Sequence, residues 1–326
     1  MVRLRAAHSN NPRLQPLREG AIQIPGIEFE WETLGPQQLF HHQLTENDFD
    51  VFEFSISSFM MTRDRPNGPA KWDWVGVPIF LSRAFLALNT YVNVNSGMQS
   101  FADFKGKRFG VPDYNMTAAL WLRAMVEDLY DVKPQDVTWF VGRAPDQSHG
   151  VALGLEQDPP KNVPIKWAEG VGKLGDLLER GDIDATWPDG GATLNESTNV
   201  RRLFAADGGR GFVGDYVRKM GFTPVNHTLM VQRRVVEENP WVPEALFEGF
   251  ERSKQEAYKR DRSVGMLFKG DDVREQADVF GADPYPSGLN ANRGMLQRGM
   301  TQSLSEGLIH KPIDVDSMWH ESVRGT

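Results

Sequence analysis

Two short stretches carry residue types from which chemistry can be built. Arg108 to Ala119, RFGVPDYNMTAA, reads as a strand that runs through a Pro-Asp turn into a helix opening. Further along, Gly221 to Leu229, GFTPVNHTL, sets a lone histidine, His227, at the start of another strand. Backbone N–H groups at a helix N-terminus form a seat for a carboxylate. A histidine titrates near neutral pH, so it can take up and return a proton at the working pH. Together the two stretches suggest a two-lobed clamp for a small anion with a titratable group facing it; the alternative for His227 is a hydrogen-bonded structural histidine.

Other candidates stand at the same kind of position. His8, after the first strand, and Glu53, ahead of the Ser55-Ile56-Ser57-Ser58 turn, both come at strand ends and join His227 as candidate acid/base groups, with Ser57 as a substrate contact. Arg83 follows a strand end and precedes Phe85, where its planar fork can meet a carboxylate; otherwise it is a surface arginine paired with an acid. Asp113 and Asn115 either cap the following helix or meet the ligand. Met116 and Thr117 open that helix, and the helix dipole adds to the donors of Thr117. Tyr114 either stacks on an aromatic substrate or packs inside. Trp187 offers one wall of a ligand slot, and Asp189 either accepts a hydrogen bond from the ligand or serves only the Pro-Asp-Gly turn. The neighbouring His41 and His42 fall on a helix, where adjacent side chains diverge and cannot share one ion, so no metal site is expected.

The elements that must position these groups alternate between strand and helix, which points to an α/β fold. Strands are expected at Val2 to Ala7, Ile27 to Thr33, Phe49 to Phe54, Trp74 to Phe80, Leu86 to Val94, Lys107 to Val111, Val137 to Val141, Ile183 to Trp187 and Asn226 to Gln232. Helices are expected at Pro36 to Leu44, Met116 to Tyr130, Leu174 to Arg180, Pro240 to Arg260 and Met295 to Leu308. The Gly-, Pro- and Asp-rich run Gly142 to Val163 reads as a long loop. A chain that leaves one α/β lobe near Asn95, builds a second and returns near Val225 has two crossover strands as its hinge. The expected division is therefore residues 1–95 plus 226–326 for the first lobe and 96–225 for the second, with the ligand in the crevice at the strand ends between them.

Composition narrows the classes of function. The 326 residues, 40% of them hydrophobic, suffice for about two domains. No run approaches the roughly 18 apolar residues of a membrane span. The opening MVRLRAAHSNNPRLQPL lacks a secretory apolar core, so the expected location is the cytoplasm. With no cysteine there is no disulfide, thiolate metal site or cysteine nucleophile. A net charge of −8 argues against nucleic-acid binding, so the expected partner is a small molecule held by a few local donors.

The order SISSF (Ser55 to Phe59), VPIFLSRAF (Val77 to Phe85), FKGKRFGVPDYNMTAALWLR (Phe104 to Arg123), GDIDA (Gly181 to Ala185) and PVNHTLMVQRRVVEENPWV (Pro224 to Val242) resembles the 4,5-dihydroxyphthalate decarboxylases over nearly the whole chain. The PDYNMTAA and Pro-x-x-His-Thr segments are its most specific parts. Two departures bear on the substrate: Leu86-Ala87 stand where the family commonly has Arg-His, and TWPDGGATLN is atypical. The resemblance implies a type 2 periplasmic-binding-protein-like fold and metal-free, cofactor-independent decarboxylation of a hydroxylated aromatic dicarboxylic acid. Arg83 and the helix opening would hold the anion, and His227 would handle the proton. The alternatives are a non-catalytic binding protein for a small aromatic or carboxylate ligand, which the same fold supports, and an enzyme for another hydroxylated aromatic acid. The resemblance leaves a homo-oligomeric assembly open.

Overall fold

A computed structural model describes residues 1–65, 68–168, 173–187, 194, 197–268 and 273–326. The chain divides into two compact units: Met1–Ala84 with Phe222–Gln297 and Pro312–Thr326, and Phe85–Gly221 with Arg298–Lys311. Each is built on one sheet, as the alternating strand and helix pattern requires. The division falls at 84/85 and 221/222 rather than near Asn95 and Val225, and residues 298–311 go with the second unit. The C-terminal helix Leu289–Glu306 is assigned to both units in turn, a split that no local pattern announces.

Unit 1 holds strands β1 (Val2–His8), β2 (Ile27–Thr33), β3 (Val51–Ser55), β4 (Trp74–Ser82) and, returning late in the chain, β11 (His227–Gln232). Their order is β2-β1-β3-β11-β4; β1 pairs parallel with β2 and β3, and β11 runs antiparallel to β3 and β4. Strands β3 and β4 are covered on both faces: β3 is buried throughout, its Glu53 included, and β4 everywhere but its last residue. The edge strand β2 instead alternates, turning Glu28, Glu30 and Glu32 outward, a charge pattern that discourages pairing with another chain. Leu4, Val51, Val77, Leu229 and Val231 of the sheet pack with Leu17, Ile24, Leu246 and Phe250. Each such side chain contributes about 1.5–3 kcal/mol on burial. Gly76 is required by close approach, because a Cβ there would lie 2.5 Å from the Trp319 ring.

Unit 2 holds β5 (Tyr91–Asn93), β6 (Arg108–Val111), β7 (Thr138–Val141), β8 (Ile165–Trp167), β9 (Ala185–Thr186) and β10 (Val200–Arg202), in the order β10-β5-β9-β6-β7-β8. Strands β6 to β9 run parallel, and β5 is antiparallel to β9 and β10. The helix Thr117–Tyr130 follows β6 and is buried along most of its length. The strand expected over Leu86 to Val94 is shorter: a 3-10 turn occupies Leu86–Asn89, stopped where the Thr90 hydroxyl donates to Ala87 O. Within the stretch expected as a long loop, Pro145–Gln147 and His149–Ala152 form ordered turns. Among the described residues no helix is long and apolar enough to cross a membrane.

Candidate active site

Because β11 runs against its two neighbours, its first residue meets their last. His227 stands opposite Ser55 at the end of β3 and Ser82 at the end of β4. The β4/β11 register slips on both sides of Thr228, whose hydroxyl donates to Ile79 O (3.1 Å) and Val77 O (3.3 Å) around Pro78. Proline has no ladder N–H to give, and an irregularity of this kind re-aims the neighbouring side chain, here His227. On the other flank Ala6 and Ala7 of β1 face Val51 and Phe52 of β3, and continuing that register brings His8 and Ser9 beside Glu53.

Glu53 is the centre of the arrangement. Its carboxylate is wholly buried; Oε1 lies 2.6 Å from His227 Nδ1, and Oε2 accepts from the Ser9 N–H at 2.8 Å and the Ser9 hydroxyl at 2.6 Å. Burial alone raises the pKa of this carboxyl, but the hydrogen bond and charge of His227 and the two bonds from Ser9 outweigh it and bring it down to about 2. An ionised carboxylate only accepts, so the proton of His227 sits on Nδ1, and Nε2 is the nitrogen left to exchange one. The ring meets Phe40 edge-on at 4.8 Å, and its side chain keeps 16% exposure, enough to be reached by a small molecule.

His8 lies at the same sheet edge in a drier setting. It is 2% exposed, meets Trp31 edge-on at 5.2 Å, and its Nδ1 contacts Ser9 O. Burial lowers its pKa against the opposing pull of the Ser9 carbonyl and the Glu53 charge, which keeps it neutral at pH 7. Ser57 is buried in the first turn of the helix Ile56–Asp64, which springs directly from β3 behind the Ser55 cap.

Arg83 is a correction. Its guanidinium is 2% exposed and both Nη atoms are turned to the protein itself: Nη1 donates to Thr223 O (2.5 Å), and Nη2 to Asn292 Oδ1 (2.5 Å) and Pro286 O (3.3 Å), while the buried Nε has no partner among the described residues. Burial lowers its pKa to about 10, which still leaves it charged. A fork already facing three protein acceptors is a tie within unit 1, not a free grip for a carboxylate; its partners lie far along the sequence, where no local pattern reveals them. Arg83→Met should therefore act mainly on stability, costing about 2–4 kcal/mol because it leaves buried acceptors unpaired. Thermal unfolding beside steady-state kinetics checks this. A large rise in KM with an unchanged melting temperature would return Arg83 to the ligand.

The candidates in unit 2 are drawn inward as well. Asp113 is buried and accepts from Arg143 Nη1 (3.0 Å), the Ser148 hydroxyl (2.8 Å) and the His149 N–H (2.7 Å), so it organises residues 143–150. Burial raises its pKa against those bonds. A Cβ at Gly150 would lie 3.0 Å from Asp113 Oδ1 and 3.1 Å from Asn115 Oδ1, so the chain passes close over both side chains there. Asn115 and Thr117 are buried, while Met116, the residue preceding the helix, and Phe85 are half-buried. Tyr114 is a core residue: Arg123 lies 3.9 Å over its ring, and its hydroxyl points to Glu306 Oε2 at 3.4 Å beside the fully buried Arg123–Glu306 ion pair. Trp187 is 1% exposed and donates Nε1–H to the Thr90 hydroxyl, so it is packing rather than a slot wall. Asp189 lies outside the described residues.

Of the acid/base candidates, then, His227 and Glu53 are in direct contact and His8 is joined to them through Ser9. Sequence reading missed Ser9, Phe40 and Trp31. Ser9 was within reach, since it follows His8 at a strand end; Phe40 sits on the helix Pro36–Thr45 with nothing local to mark it.

No protein-family model matches the sequence. Among solved structures, the chain resembles the periplasmic aliphatic sulphonate binding protein SsuA from Escherichia coli (TM-score 0.54, 14% identity, 100% of both chains). It also resembles the desulfurization enzyme DSZB (TM-score 0.52, 15% identity, 98% of this chain and 97% of that one). This likeness confirms the two-lobed type 2 periplasmic-binding-protein-like fold, and a fold shared by a binding protein and an enzyme does not choose between them. Sequence relatives do more. The chain is 29% identical over 324 residues to a 4,5-dihydroxyphthalate decarboxylase of Comamonas testosteroni, spanning 98% of this chain and 96% of the relative. It is 32% identical over 184 residues to a 4,5-dihydroxyphthalate decarboxylase of Pseudomonas putida, spanning 56% of this chain and 69% of the relative. With the Pro-x-x-His-Thr histidine held on a buried glutamate at the strand ends, the chain belongs to the 4,5-dihydroxyphthalate decarboxylase family.

Proposed function

We propose that this protein is a carboxy-lyase that decarboxylates a hydroxylated aromatic dicarboxylic acid, 4,5-dihydroxyphthalate, to 3,4-dihydroxybenzoate and carbon dioxide, with His227 as the proton-transfer group. The observation that carries the reading is the 2.6 Å contact between His227 Nδ1 and the buried Glu53 carboxylate in a member of this family. A carboxylate behind an imidazole sets its tautomer and stabilises the imidazolium formed when Nε2 takes a proton.

In this substrate each carboxylate is para to a hydroxyl. Removal of the phenolic proton by His227 Nε2 pushes an electron pair toward the ring carbon bearing the carboxylate. His227 Nε2 returns that proton to this carbon and the ring loses its aromaticity; the phenolate left once carbon dioxide has departed takes its proton from water. The bond to the carboxylate then breaks, carbon dioxide departs, and the electron pair of that bond restores the aromatic ring. The sum is one proton taken up and one carbon dioxide released, with no change of oxidation state. The para hydroxyl supplies the electronic push, so the step calls for no added electron sink.

Incubation with 4,5-dihydroxyphthalate, with and without EDTA, is expected to release carbon dioxide and one equivalent of 3,4-dihydroxybenzoate at equal rates. A panel of hydroxybenzoates and phthalates run alongside tests the substrate, since Leu86 and Ala87 depart from the family pattern. Binding without turnover on the whole panel would make this a binding protein, and loss of turnover in EDTA restored by a divalent ion would make the reaction metal-assisted.

A further inference from the structure

The histidine–glutamate pair leans on a residue that does not titrate. We propose that Ser9 is the positioning residue of this site, its three polar groups fixing the orientation of Glu53 and the tautomers of both His227 and His8. The inference rests on the decarboxylase reading above and adds to it a residue with no part in the proton transfer itself.

Ser9 directly follows the last residue of β1. Its N–H and its hydroxyl converge on one carboxylate oxygen, Glu53 Oε2, at 2.8 Å and 2.6 Å. Two donors on a single oxygen stop the carboxylate from turning, so the other oxygen, Oε1, stays aimed at His227 Nδ1. A wholly buried carboxylate needs such donors in any case, because without them its desolvation is uncompensated. The third polar group of Ser9, its carbonyl, contacts Nδ1 of His8. A carbonyl only accepts, so His8 is held with its proton on Nδ1, and its Nε2 is a lone-pair acceptor that has no partner among the described residues. One serine thus holds a proton on Nδ1 of both imidazoles, directly for His8 and through Glu53 for His227, and engages neither Nε2. A residue that orients another's reactive group in this way is commonly worth about 10–100-fold.

Ser9→Ala removes the hydroxyl and keeps the backbone contacts. We expect kcat to fall about 10–100-fold while KM stays within about threefold, and Ser9→Thr, which restores the hydroxyl, to recover kcat to within about fivefold of wild type. A residue that only supported the fold would lower the melting temperature and move kcat and KM together. Nitrogen-15 NMR of the imidazoles supplies a readout that needs no turnover. Wild-type His8 and His227 should both show a protonated Nδ1 and a bare Nε2. In Ser9→Ala, His227 should move toward a mixture of tautomers while His8 keeps its own. Unchanged kcat in Ser9→Ala, failure of Ser9→Thr to recover it, or an Nε2-protonated His227 in the wild type would overturn the proposal. Correct tautomers in a protein that releases no carbon dioxide would instead overturn the decarboxylase reading and leave the placement of Ser9 intact.

Discussion

His227→Ala is expected to lower kcat by about 10²–10⁴-fold while the fold and the affinity for an unreactive phthalate analogue survive. His227 opens β11 at the sheet edge, its ring is flanked by Phe40, and Glu53 occupies only Nδ1, so deleting the imidazole removes the proton-exchanging Nε2 and little of the core. Wild-type kcat should carry a limb in its pH profile that disappears in the variant. A merely structural histidine gives another pattern, with analogue binding weakened in step with turnover; some loss of melting temperature is expected in either case, because Glu53 loses a partner of its buried carboxylate. Measuring kcat and analogue affinity on one preparation separates the two. Should kcat remain within a fewfold of wild type, the transfer belongs to another group, and His8 is the next to test.

Glu53→Gln should come close to that effect with nearly the same shape, lowering kcat by about 10²–10³-fold. An amide has one accepting and one donating end. If its oxygen faces His227 Nδ1, its NH₂ is thrust against the Ser9 backbone N–H and the Ser9 hydroxyl must turn from donor to acceptor; if it is flipped, the NH₂ faces Nδ1 and forces the proton to Nε2. Either way the site loses the arrangement it is built for. The same residue makes a pH-dependent contribution to stability. Its folded pKa of about 2 lies below the ordinary 4.5, so the ionised carboxylate stabilises the fold above pH 4.5, and that stabilisation is lost as pH falls from 4.5 towards 2. The shift corresponds to something on the order of 3 kcal/mol. Melting temperatures of wild type and Glu53→Gln should therefore differ at pH 7, draw together as the pH falls below 4.5 and converge only near pH 2. A gap that does not change with pH would show that the charge of Glu53 contributes nothing.

How far the site was legible in the sequence depends on how far apart its partners lie. His8, Glu53 and His227 were each marked by standing at the end or start of a strand, a property readable within a few residues. What they do for one another was not: Ser9 and Glu53 are 44 residues apart, and Glu53 and His227 are 174 apart. Arg83 shows the same limit from the other side. Its strand-end position is real, but whether its fork is free depends on Thr223, 140 residues away, and Asn292, 209 away. Tyr114 and Trp187 failed as ligand platforms for a related reason, since an aromatic residue beside a turn has the same sequence signature whether it faces solvent or a buried ion pair.

By itself the sequence determined the elements, the α/β class and the positions where reactive groups could stand, because strand and helix periodicity and turn chemistry act between neighbours. The family, too, was legible in local segments such as PDYNMTAA and Pro-x-x-His-Thr. The tertiary structure alone decided which candidates touch. It did so through sheet order, which inserts β11 antiparallel between β3 and β4 and so sets the first residue of a late strand beside the ends of two early ones. It also decided which polar groups are consumed internally, because a buried donor or acceptor must find a partner wherever the fold offers one, and for Arg83 and Asp113 that partner was the protein itself.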